Sequence, residues 1–217
     1  MNPEINKIET KKTIFGSIIN VIIVIAVIGA ITSVIGKSCG NSSASKHTKK
    51  SNKYIDLSAK NNLNYYQIAG IKLLLHGEPV VKNQPIPLGC EDLISSMKSY
   101  MVQDNSISVA VIHSTYVNPE INLDGSANGC ITGIKNSPNV RSFTGSSKKT
   151  VVAGLDGREI TMNYKKSKFN FNHSALIFAN GFDHWSIQIA HGGSQGQDEI
   201  EELNKTIFES VQITDNK

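Results

Sequence analysis

The sequence has very little arginine. Of its 22 basic residues only Arg141 and Arg158 are Arg, and a single tryptophan, Trp185, stands among few aromatics. A domain that reads DNA or RNA concentrates Arg and Lys on one face, so nucleic acid is excluded as the expected partner. Charge is also sparse, at 18% of residues; 21 Asn and 24 Ser together outnumber the 40 charged groups, so the surface is largely neutral and polar. Three cysteines are too few for a disulfide-built scaffold. No Gly-x-Ser-x-Gly, His-Glu-x-x-His, Cys-x-x-Cys, Walker or dinucleotide fingerprint occurs.

The net charge of +4 over 217 residues divides unevenly. Residues 1–60 carry nine Lys against three acids, and the remaining 157 residues carry 13 basic and 15 acidic groups. The basic character therefore belongs to an N-terminal arm. Within that arm, Lys12 and Lys37 bracket 24 consecutive uncharged residues. The stretch Ile14–Ile35 would span about 33 Å as a helix, enough for a hydrocarbon core of about 30 Å. It has no polar face, which a core helix would show, and it exceeds the apolar length of a signal peptide. A retained transmembrane helix over 14–36 is the expectation. A cleaved signal is the alternative, with lipidation at Cys39 as one form of it, although Lys37 departs from the small apolar residues that precede a lipidated cysteine. Lys7, Lys11 and Lys12 on one side nearly balance Lys37, Lys46, Lys49 and Lys50 on the other. Lys11 and Lys12 abut the run directly, which favours a short cytoplasmic tail (1–13) and a domain outside the cytoplasm. Residues 37–64 begin with a Ser- and Lys-rich stretch lacking large apolar side chains, and read as a flexible linker.

From 65 to 217 the pattern is that of one globular domain. Ile68–Leu75 reads as a strand and Cys90–Met101 as a helix, from the spacing of Leu93, Ile94, Met97, Tyr100 and Met101. Ser106–Val117 reads as a strand. Ser126–Ile134 has weaker helical character, opposed by Gly129 and Gly133. Asp156-Gly157 and Asn180-Gly181 mark two hairpin turns. Trp185, Ile187 and Ile189 alternate with His184, Ser186 and Gln188, and a closing helix from Asp198 to Val211 carries the stripe Ile200, Leu203, Ile207, Phe208 and Val211. The fold class is α+β: an antiparallel β-meander sheet with packed helices.

Several stretches resemble the PsbP-like family. They are Val151-Val152 through Gly157, the run Trp185 to Ile189, Ile207 to Ile213, and Ile68 to Pro79 followed by the expected helix to Met101. The family includes an extrinsic photosystem subunit, a Ran-binding nuclear protein and small bacterial exported proteins or lipoproteins. The resemblance covers most of 65–213 as hydrophobic pattern and element order. It implies a PsbP-like sandwich and a non-enzymatic role, and it carries over no site residue.

No catalytic residue and no cofactor is assigned. The stretch from Gly145 to Thr150 lacks the second glycine of a phosphate loop and precedes a strand. The Gly-rich loop 192–196 is followed by Asp198, Glu199, Glu201 and Glu202, which would repel an anion. His173, His184 and His191 sit in or beside the last hairpin and are weak candidates for a metal site, His173 and His184 being placed to approach across it. Cys90 and Cys130 are either a disulfide in an exported domain or two separate buried thiols. The expected function is a single-pass membrane protein presenting an extracytoplasmic binding or assembly module, with the membrane and a protein or ligand as partners. The alternative is an envelope enzyme, a hydrolase or metal-dependent, using the histidines near the last hairpin.

Overall fold

A computed structural model describes residues 62–87, 90–103, 107–192 and 197–214. The tail, the apolar run 14–36, Cys39 and nearly all of the linker lie outside the described residues. Among the described residues no helix is long and apolar enough to cross a membrane.

Two antiparallel sheets form. The large one has seven strands in the order β3-β4-β5-β9-β8-β7-β6, with β3 Val80–Asn83, β4 Ile94–Gln103, β5 Ile107–Tyr116, β6 Val140–Val152, β7 Leu155–Lys166, β8 Phe169–Asn180 and β9 Asp183–Gly192. The small one, β1-β2-β10, joins Asn64–Ile68 and Ile71–Leu75 to Gln212–Ile213. Two helices complete the domain, α1 (Leu123–Lys135) and α2 (Gln197–Glu209). β6 to β9 are the expected meander, and β9 then pairs back with β5.

The single strand expected over Ile68–Leu75 is a hairpin. Ala69 and Gly70 both take positive φ (44° and 83°), the geometry of a tight turn between twisted strands. The helix expected over Cys90–Met101 is strand β4. Its register shifts between Ile94 and Ser96, and beyond that irregularity the pairing runs evenly. The extra residue puts Ile94 and Met97 on one face three apart, and this mimics helical spacing. The hairpin placed at Asp156-Gly157 turns instead at Ala153-Gly154, where φ is 49° and 86°. Gly157 lies within β7, where an added Cβ would sit 2.9 Å from Val152 Cγ2 and 3.1 Å from the Ile177 carbonyl oxygen, so the residue serves a close approach. The Asn180-Gly181 hairpin forms, with its turn on Gly181 and Phe182.

The helix opposed by its glycines also forms, and the glycines explain its position. Gly125, Ser126, Ala127, Gly129, Cys130 and Gly133 are all buried, so the backbone of α1 settles close to the sheet. Asn122 caps it, its Oδ1 accepting from the Gly125 N–H at 2.9 Å. Arg158 on β7 donates to both carboxylate oxygens of Asp124 in the first turn, through Nε at 2.5 Å and a terminal nitrogen at 3.0 Å, and holds the Asp124 carboxyl below its ordinary range.

The large sheet is buried on both faces. On one side α2 and the small sheet cover it, with Leu203, Ile207, Leu73 and Ile71 packed against Val109, Val111, Leu176, Phe178, Trp185, Ile187 and Ile189. On the other side α1 covers Ile160, Met162, Tyr164, Phe171 and Ile177, while a second cluster gathers Cys90, Ile94, Met97, Ala110 and Ile112. Polar side chains thread this second face between the two clusters: Ser108 and Ser114 from β5, His184, Ser186 and Gln188 from β9, and His173 from β8, all buried.

Candidate functional site

The three histidines of the last hairpin do not converge. In the β8–β9 register His173 faces Ala190, and His184 faces Ala179. Ala190 lies six residues beyond His184 along β9, so the two rings are roughly 20 Å apart on one face. His191 pairs with Asn172 and projects to the opposite face. All three are buried, and burial lowers each from its ordinary value to about 4, keeping the rings neutral. No nitrogen of His173 or His184 meets a hydrogen-bond partner of good geometry, although Gln188 lies beside His173. Among the described residues no group of three or more His, Cys, Asp or Glu side chains is placed to hold a metal. The histidines offer neither a metal shell nor an exposed base, so the enzyme reading loses the residues on which it was built.

His113 has a defined partner. Its Nε2 lies 2.7 Å from Asp183 Oδ1, and its ring stands 5.5 Å from that of Trp185. The Thr115 hydroxyl points at the same carboxylate oxygen. The contact links the paired ends of β5 and β9, and no serine or cysteine side chain hydrogen-bonds to the His113 ring.

Cys90 and Cys130 are free, buried thiols in two different clusters, so the bridge is absent and the two-thiol alternative holds. Burial pushes the Cys130 thiol up to about 12. The thiolate is the nucleophile, so Cys130 is expected to react with an alkylating agent more than about 100-fold slower in the native chain than after denaturation. Mass spectrometry of the labelled peptide reads this directly, and native labelling at the unfolded rate would contradict the packing.

The arrangement best suited to holding something lies between α2 and the strands beyond it. There α2 overhangs β6, β7 and β8 and leaves a groove of about 650 Å³, within the range of small-molecule sites. Its floor is set by register: Lys148 pairs with Glu159, Thr150 with Gly157, and Thr161 with Ser174, all on one face because strand side chains alternate. Leu176, Val152 and Phe208 supply apolar wall, and Glu201, Asn204, Lys205 and Glu209 come from the helix. Asn204 is the telling residue. It is 7% exposed, its Nδ2 donates to Ser174 Oγ at 3.1 Å, and its Oδ1 has no partner.

None of these positions was assigned as a site from sequence. The available signal was Asn204 itself, a polar residue at the i+4 position from Ile200 beside an otherwise apolar stripe. The floor was illegible, since Lys148, Glu159, Thr161 and Ser174 meet only through pairing of strands whose hairpin turn was misplaced.

No protein-family model matches the chain, and no curated protein matches it. Solved structures do. The PsbP protein CyanoP of the cyanobacterium Synechocystis sp. PCC 6803 aligns with a TM-score of 0.51 at 9% identity, over 80% of this chain and 98% of its own. The fold is PsbP-like. Weaker likenesses are to LpqN, involved in cell envelope biogenesis of Mycobacterium tuberculosis (TM-score 0.40, 15% identity, 64% of this chain and 86% of that one), and to PA94 of Pseudomonas aeruginosa, described as a putative regulator (0.36, 9%, 66% and 92%). At such identities the PsbP-like domain shares an architecture with CyanoP and no residue role follows.

Proposed function

We propose that this chain is a single-pass membrane protein that holds its PsbP-like domain outside the cytoplasm, where the domain acts as a binding or assembly module and performs no chemistry of its own. The groove under α2 carries the binding part of this reading. It combines hydroxyls, an amide, paired charges and apolar wall, the mixture of a recognition site, and its lining contains neither His nor Cys. The anchoring part is supported by Ile14–Ile35, long enough and apolar enough to span a bilayer. A PsbP-like accessory domain is compatible with both.

Expression of the full chain in a Gram-negative host tests the placement. The protein is expected to remain in the membrane fraction after a carbonate wash, and protease added to spheroplasts is expected to remove the domain. A washed-out soluble chain, or a domain digested only after lysis, would end this reading.

A further inference from the structure

We infer that the groove beneath α2 binds a neutral, hydroxyl-rich ligand, a saccharide of one or two rings. This rests on the reading of the domain as a binding module and gives that module a ligand class. The argument begins at Asn204. Its side chain is more than nine-tenths buried, its amide nitrogen is used by Ser174, and its Oδ1 is an unfilled acceptor beside the groove. A buried acceptor without a partner is costly, so the ligand that fits must donate an O–H or N–H there. Ser174 Oγ already accepts from Asn204, which leaves its own hydroxyl proton to donate in turn. Thr161 stands directly opposite Ser174 on β7, and Thr150 lies further out on β6. A ligand meeting these groups finds donors and acceptors interleaved, the pattern that ring hydroxyls match.

Charge excludes the main competitors. The groove holds two lysines and three glutamates; Lys148 is paired with Glu159 at 3.1 Å and Lys205 with Glu209 at 3.7 Å. An anion such as a phosphate would find its cations taken and a carboxylate in excess. A cationic amine would find two of the three carboxylates already neutralised. A pure acyl chain would bury Thr161, Ser174 and Asn204 without partners. A sugar ring needs no net charge, and its C–H face can pack on Phe208 and Leu176 while its hydroxyls reach the floor and the helix.

The test uses the full chain in phosphatidylcholine nanodiscs, since a sugar-headed detergent would compete. The probes are glucose, N-acetylglucosamine and their β-1,4-linked dimers, with inorganic phosphate and an uncharged Gly-Ser-Thr peptide as comparisons, read by saturation-transfer NMR and calorimetry. At least one saccharide is expected to bind, and Thr161→Trp, which fills the groove from an exposed floor position, is expected to weaken it about tenfold or more. Asn204→Leu is expected to do the same if its circular dichroism matches the parent chain. The inference is overturned if no saccharide binds the folded chain, if Thr161→Trp binds equally well, or if phosphate or the peptide binds in place of the sugars. A membrane-anchored chain that ignores every sugar would leave the placement intact and remove only the ligand. A sugar-binding chain found soluble would do the reverse.

Discussion

Acidification from pH 7 to pH 4 is expected to unfold this domain. His173, His184 and His191 are buried and titrate near 4 in the folded chain, against 6.5 when exposed. Between those values the unfolded chain binds more protons than the folded one, so each falling pH unit favours unfolding. The stabilisation conferred by the neutral rings is complete above 6.5, declines through the window and is gone near 4. Each histidine accounts for about 3 kcal/mol, and the three together for roughly 10, comparable to the whole stability of an ordinary domain. The causes are local. Burial dominates at all three sites, with His191 adding to the shift at His173 and His113 adding to that at His184. Emission from Trp185, the only tryptophan, follows the transition. His184→Phe keeps an aromatic ring beside Tyr116, whose ring lies 5.7 Å away, and is expected to cut the stability difference between pH 7 and 4 by about 3 kcal/mol. Stability that stays level from pH 7 to 4.5 would show that these rings are not buried neutral.

The second large effect is at Trp185. The side chain is 3% exposed, stacks on Phe178 with centroids 5.2 Å apart, and donates from Nε1 to the Ala69 carbonyl oxygen at 3.0 Å. That bond ties the centre of the large sheet to the β1–β2 turn of the small one. Trp185→Ala removes the packing, leaves a cavity and strands the Ala69 carbonyl, at a cost of about 3–5 kcal/mol. For a domain of this size the melting temperature should fall by roughly 10–15 °C. Trp185→Phe restores much of the volume without the hydrogen bond and should fall between the two. Melting followed by circular dichroism checks this, and a shift under about 2 °C for Trp185→Ala would deny the tie between the sheets.

Local chemistry explains which elements were legible beforehand. β9 and α2 have uninterrupted periodicity, 2 and 3.6, and both form as expected with Trp185, Ile187, Ile189, Leu203 and Ile207 in one core. β4 was misread because a single irregularity near Ile94 changes the phase of a strand into the spacing of a helix. Asp156-Gly157 has the composition of a turn, yet the chain reverses three residues earlier. Ala153 takes a left-handed conformation there, and Gly157 is needed for its lack of a side chain. α1 was opposed by helix propensity, a preference of about 1 kcal/mol per glycine, and tertiary burial of that same small-residue face overrides it.

The candidate sites follow the same division. Sequence drew attention to His173, His184 and His191 because they lie close along the chain, and β-pairing separates them by strand length and by face. It passed over Asn204, Ser174 and Thr161, which lie on three elements and meet only when α2 closes over the sheet.

The scarcity of arginine and of charge was decided by the sequence alone, and with it the neutral, Asn- and Ser-rich surface and the split between a basic arm and a near-neutral domain. These are sums over residues and need no geometry. Which polar residues are buried, which charges are paired and where a groove opens depend on contacts between residues far apart in the chain. Only the tertiary structure decides those, because strand register and helix placement fix neighbours that periodicity cannot name.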